Sequence, residues 1–234
     1  MPTPTVAPQN LLMAALPAAA RRRLLARRSP VELVLSDVLA EPGEPIRYVF
    51  FPVEGFVSLI VSIDGGAQLE VGLVGNEGMV GTSLLLGVGV APLRALVQGG
   101  GSAWRVEAAA FSREIALTSS VQARLARYVQ VQLIQLAQNA ACVRFHVIEA
   151  RLARWLLMTR DRAHSSTFGV THEFLAFMLG VRRAGVTRAA SALQARDLIR
   201  YVRGELEIRD ARGLELAACD CYAADKRTYA RNLR

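Results

Sequence analysis

The chain has 234 residues, 52% hydrophobic and 21% charged, which supplies core enough for one large domain or two modest ones and excludes wholesale disorder. Its formal net charge of +8 is carried by arginine, Lys226 being the only lysine. Three cysteines, Cys142, Cys219 and Cys221, are too sparse and odd a set for a secreted disulfide framework and fit a reducing cytoplasm.

Residues 10–28 have the pattern of a short amphipathic helix ending in basic residues, with Pro30 as its stop. The apolar stretch at 11–20 precedes Arg21, Arg22 and Arg23 instead of following them, the wrong order for a secretory signal. From Val31 to about Glu107 short β-branched runs ("VELVL", "YVFFPV", "FVSLIVSI", "QLEVGLV", "AWRVE") alternate with turn signals at residues 41–44, 54–55, 64–66 and 75–78. Many short strands with regular turns predict an all-β sandwich or barrel, and Asp64-Gly65-Gly66 is the strongest hairpin signal.

The texture changes near Phe111. Residues 111–143 lack proline and glycine, and Leu125, Val129, Leu133, Leu136, Ala140 and Val143 recur at spacings of three and four, one face of a long helix. Val131, Ile134 and Ala141 add a second apolar face, and two faces need two covers: the β domain and a partner chain, so a homodimer is expected. Downstream of Arg21 the longest uncharged runs, 78–93 and 128–143, have 16 residues each, short of the ~20 that span a bilayer, so no membrane partner is expected. A further helix is predicted at about 146–162, with Val147, Leu152, Trp155, Leu156 and Met158 apolar and the domain boundary at 143–147.

"VTHEFLAFMLGVRRAGVTRAASAL" (170–193) carries the chemistry. Thr171 is a helix N-cap, and Glu173 lies in the first turn, where the helix dipole favours a carboxylate. Leu175, Ala176 and Leu179 form an inner face, and Gly180 can take the positive φ that ends a helix. A second helix starts near Arg182 with Val186 and Leu193 inward. This spacing is that of a helix-turn-helix. In that motif the N-terminal half of the second helix enters the DNA major groove, which gives Arg182, Arg183, Thr187 and Arg188 base edges and phosphates to contact. Thr171 and His172 open the first helix, whose free N–H groups suit a phosphate. Downstream, "LIRYVRGELEIRD" alternates around Arg203-Gly204 as a β-hairpin wing, with Arg200 and Arg203 placed for the DNA backbone. Residues 144–203 hold eleven arginines against four acidic residues, an excess that fits a phosphate backbone or a solvated helix face.

The order of these parts resembles the Crp/Fnr transcription regulators, over nearly the whole chain. The resemblance rests on "PGEPIRYVFFPVEGFVSLI", "GLVGNEGMVGTSLLLG", "EARLARWLLMTRDR" and "VTHEFLAFMLGVRRAGVTRAASALQARDLIRYVRGELEI". It implies an α+β protein. Residues 1–110 would form a short N-terminal helix and an antiparallel, cyclic-nucleotide-binding-like β-roll. Residues 111–145 would form a long dimerisation helix using Leu125, Val129, Leu133, Leu136 and Ala140. Residues 146–234 would form a winged helix-turn-helix.

The chain departs from the pattern in its effector pocket, whose counterpart residues are Gly81, Thr82, Ser83, Arg94 and Ala95. Thr82 stands where the family's cyclic-nucleotide binders carry a ribose-binding glutamate. Leu93-Arg94-Ala95 stands one place out of register with their phosphate-binding Arg-Ser-Ala. Cyclic AMP is therefore not expected: the pocket takes another small-molecule effector or is vestigial. Iron–sulfur sensing needs about four cysteines, and none of the three here is N-terminal. Cys219-Asp220-Cys221 is a C-x-C pair with no second pair or histidine beside it in sequence, so no metal site and no cofactor is expected. His146, His164 and His172 have the character of surface or packing residues. Where similar proteins often carry Arg and Glu side by side, Arg183 is followed by Ala184 and Gly185, which removes a cytosine-type contact.

The expected function is a cytoplasmic homodimeric regulator binding double-stranded DNA at an inverted repeat. Activation would add RNA polymerase as a partner, at a surface the sequence does not locate. The alternative is a ligand-binding module whose C-terminal domain docks a protein. An enzyme is not expected: there is no P-loop, no G-x-S-x-G and no H-E-x-x-H, and Gly99-Gly100-Gly101 precedes a strand-like segment instead of a helix.

Overall fold

The computed structural model describes residues 9–63 and 66–233. It divides into two compact units, one of residues 1–57 and 74–128 and the other of 58–73 and 129–234. Residues 58–73, which include parts of two strands, group with the C-terminal residues.

The first unit opens with α1 (Leu11–Ala14) and α2 (Ala18–Ala26). The single helix expected over 10–28 is two, broken at Pro17, which lacks the N–H to continue a helix. Asn10 ties this end down. Its Oδ1 accepts from the Met13 N–H at 2.8 Å, and its Nδ2 donates to the Pro52 and Gly78 carbonyls at 2.9 and 2.8 Å. Strands β1 (Arg28–Leu33), β2 (Val38–Ala40), β3 (Tyr48–Ser62), β4 (Gln68–Val74) and β5 (Arg94–Glu107) follow, with a short 3₁₀ helix at Thr82–Leu86. The sheet order is β1-β5-β3-β4, with β2 also on β5, and both β1 and β2 run antiparallel to β5.

Pro30 does not stop a helix. It lies inside β1, opposite Trp104. β1 is an edge strand, where a missing N–H costs no ladder bond. Glu54-Gly55 is not a turn either: β3 runs through it as one strand of 15 residues. Gly55 has φ +77°, and a Cβ there would fall 2.2 Å from the Gly99 carbonyl oxygen of β5. A Cβ on Gly101 would fall 2.4 Å from the Glu54 carbonyl oxygen. The glycine triplet at 99–101 thus lets β5 approach β3 at this irregularity. Asp64 and Gly65 of the hairpin signal lie outside the described residues. Beside them the Ile63 N–H donates to the Ala67 carbonyl at 3.0 Å, and Gly66 has φ +82°. Phe51 and Phe111 meet edge to face at 6.1 Å in this unit's core.

The long helix expected over 111–143 is also two: α3 (Ala108–Leu117) and α4 (Ser119–Phe145). Thr118 between them is extended, and its hydroxyl donates to Glu114 Oε1 at 3.2 Å. α4 has 27 residues, about 40 Å at the helical rise. Five of the apolar positions divide by burial. Leu125 is fully buried in its own chain and therefore unavailable to a partner, which removes it from the expected dimerisation set. Val129 is half-buried, and Leu133 (56%), Leu136 and Ala140 are exposed.

The second unit continues with α5 (Ile148–Ala163), β6 (Thr167–Gly169), α6 (His172–Leu179), α7 (Arg183–Ala195), β7 (Ile199–Val202), β8 (Glu205–Ile208), α8 (Ala211–Ala217) and α9 (Cys221–Asn232). Strands β6, β8 and β7 form an antiparallel sheet with β8 in the middle. Its core includes Leu152, Leu156, Leu175, Val186, Leu193, Leu206 and Leu214. Val147, expected in the apolar face, is instead 71% exposed as the N-cap of α5. Among the described residues no helix is long and apolar enough to cross a membrane.

Replacing Gly101 by valine should lower the unfolding free energy by about 2–3 kcal/mol, because the added Cβ meets backbone that cannot swing away. An unchanged denaturant midpoint would contradict this account of the β3–β5 approach.

Candidate nucleic-acid interface

The helix-turn-helix is built by local rules. Thr171 caps α6, its Oγ1 accepting from the Phe174 N–H at 3.1 Å. Gly180 ends α6 at φ 61°, ψ 43°. Its N–H donates to the Phe177 carbonyl at 3.1 Å and the Val181 N–H to the Ala176 carbonyl at 3.0 Å, which is the Schellman closure. Arg151 of α5 donates from Nη2 to the Leu179 carbonyl. A cation on an otherwise free carbonyl at a helix C-terminus suits both the acceptor and the dipole.

Arg182 is the N-cap of α7, and the helix proper starts one residue later than expected, at Arg183. Arg182, Arg183, Ala184, Thr187 and Arg188 are all exposed, while Gly185, Val186, Ala189, Ala190 and Leu193 are buried. The i, i+4 pairs Arg183–Thr187 and Ala184–Arg188 therefore share the outward face. Gly185 has a structural cause: a Cβ there would sit 2.8 Å from Ile148 Cδ1. It lets α7 close on α5 and does not belong to the outward face, so only Ala184 bears on base preference.

His172 is half-buried and ties three elements together. Its Nδ1 lies 3.1 Å from Thr187 Oγ1, and its ring stacks on Tyr201 at 4.4 Å and 21°. The Thr187 hydroxyl donates to the Arg183 carbonyl at 3.1 Å, which leaves Nδ1 of His172 as the donor to Oγ1. Burial, and then the nearby Arg183 charge, hold His172 below the usual histidine value and favour the neutral ring. Tyr201 also donates its hydroxyl to the Val170 carbonyl at 3.0 Å. Imidazole, hydroxyl and phenol thereby align the start of α6, the start of α7 and strand β7.

β7 and β8 make the wing. Arg203 and Gly204, at φ 51° and 85°, form its two-residue turn, the twist-matched connection of a tight hairpin. Arg203 is exposed at the tip, and Arg200 is exposed on β7 across from Glu207. Not every arginine counted in 144–203 faces solvent. Arg151, Arg154 and Arg162 are buried. Arg154 pairs with Asp225 at 2.7 Å and donates to Asn139 Oδ1 at 3.1 Å. Arg160 is ion-paired to Asp161 and Arg196 to Glu149, at 3.3 and 3.0 Å. The charge sum of the stretch overstates what a polyanion meets.

The residues expected around an effector pocket lie in the first unit. Gly81 is left-handed at φ 98° and starts the 3₁₀ helix that holds Thr82 and Ser83. Ala95 is buried opposite Ala40. Arg94 Nε lies 3.3 Å from Glu41 Oε1, so a carboxylate of the chain itself occupies this guanidinium.

Two features escaped the sequence. Glu70 of β4 is buried, accepting from Ser58 Oγ at 2.5 Å and Trp155 Nε1 at 2.9 Å; Trp155 in turn meets Phe174 of α6 edge to face at 6.4 Å. A lone glutamate in "QLEVGLV" gives no sign of its inward face. Cys142 of α4 and His146, one residue beyond its end, also lie beside Cys219 and Cys221. This corrects the expectation that the C-x-C pair lacks a histidine and a further thiol, because 75 residues separate His146 from Cys221 in sequence.

An antiparallel β domain, a long helix and a winged helix-turn-helix follow one another along the chain. Residues 150–217 match the Crp-like helix-turn-helix domain. FixK2 from Bradyrhizobium japonicum is similar in structure at 16% identity and TM-score 0.69, over 82% of this chain and 98% of that one. The c-di-GMP-responsive global regulator CLP from Xanthomonas campestris is similar at 18% identity and TM-score 0.66, over 82% and 99%. A Crp-family transcriptional regulator from Thermus thermophilus is similar at 20% and 0.67, over 80% and 96%. No curated protein matches the chain in sequence. The chain carries a Crp-like helix-turn-helix domain and has the fold of the Crp/Fnr transcription regulators.

Burial pushes the Glu70 carboxyl from 4.5 up to about 7. The native state therefore holds a proton that the unfolded chain releases between these values, and stability falls as pH rises through the window. The loss amounts to roughly 3 kcal/mol, levelling off above the upper value. Glu70→Gln should flatten this part of the stability–pH curve and gain most above pH 7. An unaltered slope in urea titrations from pH 4.5 to 8 would show that another group carries the dependence.

Proposed function

We propose that the protein is a sequence-specific DNA-binding transcription regulator that acts as a homodimer on an inverted-repeat site. The observation that carries this reading is the outward face of α7. Arg183, Thr187 and Arg188 are exposed on the N-terminal half of the second helix, beside the Arg182 cap, and Arg200 and Arg203 are exposed on the wing. Arginine supplies two parallel donors to guanine O6 and N7, or a clamp on phosphate. The wing arginines reach the backbone, which sets register without selecting sequence.

The dimer rests on α4. Val129, Leu133, Leu136, Ala140 and Val143 recur at four and three residues, the a/d spacing of a coiled-coil seam, and all but half-buried Val129 are exposed. Phe145, just beyond, is 75% exposed. A second copy of this helix covers such a stripe, and two-fold symmetry places the recognition helices about 34 Å apart, one turn of DNA. The β domain carries an effector-sensing or vestigial pocket without a cyclic-AMP role, a reading supported by Thr82 in place of a carboxylate and by Glu41 beside Arg94.

Arg183→Ala with Arg188→Ala should weaken binding to a selected site on the order of 10- to 1000-fold. Arg200→Ala should instead weaken binding to all sequences and lower the slope of log affinity against log salt by about 1. Selection from a random duplex pool followed by fluorescence titration reads both. Recovery of sites without two-fold symmetry, or full affinity in the double variant, would refute the model in favour of a protein-docking role for this domain.

A further inference from the structure

Away from the α7 face, four side chains of metal-binding chemistry converge. Cys142 lies in the last turn of α4 and His146 just beyond its end, four residues on, its N–H donating to the Cys142 carbonyl at 3.1 Å. Cys219 and Cys221 flank the start of α9 after α8. Their Sγ and imidazole nitrogen atoms all lie within 4.8 Å of one another. Cys142 Sγ is 3.6 Å from Cys219 Sγ, and Cys221 Sγ is 3.5 Å from His146 Nδ1.

We propose that Cys142, His146, Cys219 and Cys221 bind a single tetrahedral Zn²⁺ ion that clamps the end of α4 to the α8–α9 junction. The distances carry this directly. With Zn–S bonds of about 2.3 Å and Zn–N of about 2.0 Å, a tetrahedron has S···S edges of about 3.8 Å and S···N edges of about 3.5 Å. The two separations above sit at these values, before any metal draws the ligands in. Three thiolates and one imidazole form a soft, closed donor set of the kind that structural zinc takes. An iron–sulfur cluster spreads its thiolates over separate irons, which four ligand atoms in so small a space do not permit.

The surroundings fit the charged state of such a site. Gln138 Nε2 lies 3.0 Å from Cys221 Sγ and donates to it, an outer hydrogen bond of the sort that orients and steadies a thiolate ligand. Zn²⁺ with three thiolates leaves one net negative charge. Arg151 and Arg154 line one cavity together with Cys142, which puts two cationic side chains near the site. All three cysteines are buried, and His146 is half-buried, so the protein fills all four positions and leaves none for a substrate.

Metal content of the full-length chain, purified under reducing conditions without chelator, tests this by mass spectrometry. One zinc per chain is expected, with loss in Cys142→Ser and in Cys219→Ser. Cobalt added to the metal-free chain should give the intense visible bands of tetrahedral Co²⁺ and a thiolate-to-cobalt charge-transfer band. Wild-type zinc should also resist a chromophoric chelator, and its removal should lower Tm; these readouts stand even if the serine variants fail to fold. Substoichiometric zinc in the wild-type chain, a pale octahedral cobalt spectrum, or iron or copper bound by the same residues would each overturn the assignment. None of these readouts depends on DNA binding.

Discussion

The arrangement of the C-terminal unit depends on the backbone of Gly180. An L-residue with a side chain takes this left-handed conformation only at a cost of about 1–2 kcal/mol, and a Cβ would press to 2.9 Å on Leu69 Cδ1. Glycine removes both penalties at once. With that residue left-handed, the two hydrogen bonds of the Schellman closure fix the departure angle of the chain, and α7 leaves across α6 instead of extending it. Everything displayed by α7 follows from this direction. Arg151 completes the turn from α5 by taking the Leu179 carbonyl, so one arginine that looks like surface charge in the sequence is an internal part of the motif.

The rest of the unit holds this turn in place through polar links between elements distant in sequence. Arg154 joins α4, α5 and α9 through Asn139 and Asp225. A buried guanidinium of this kind is tolerable only with its partners in place, and losing one partner leaves an uncompensated charge. Glu70 reaches α5 at Trp155, which packs on Phe174 of α6. His172 then joins α6 to α7 and to the wing through Thr187 and Tyr201. The outward arginines are therefore mounted on helices whose inner faces are fixed by specific hydrogen bonds as well as by apolar packing, and a preorganised face gives up less conformational freedom on binding.

Local signals were legible without the structure. Thr171 as a cap, Gly180 as a stop, the inward Leu175, Leu179, Val186 and Leu193, and the Arg203-Gly204 turn are each set by interactions within a few residues. The sequence alone therefore determined the helix-turn-helix and its wing, while the α+β class came with the resemblance to the Crp/Fnr regulators. It also determined the a/d repeat along α4, because helical periodicity is a property of the chain. Breaks were less legible. Pro17 and Thr118 each divide a helix the pattern ran through, and Glu54-Gly55 reads as a turn although β3 continues.

Only the tertiary structure decided which face of each pattern is free. Leu125 and Leu133 belong to one apolar repeat, yet the first is sealed in its own chain and the second is open. Arg151, Arg154 and Arg162 are arginines like Arg183 and Arg188, yet they are buried. Gly185 is buried and faces Ile148, so it is not part of the base-reading face. Cys142 and His146 meet Cys219 and Cys221 across more than seventy residues. In each case the deciding quantity is the distance to a group remote in sequence, which side-chain type and periodicity do not encode.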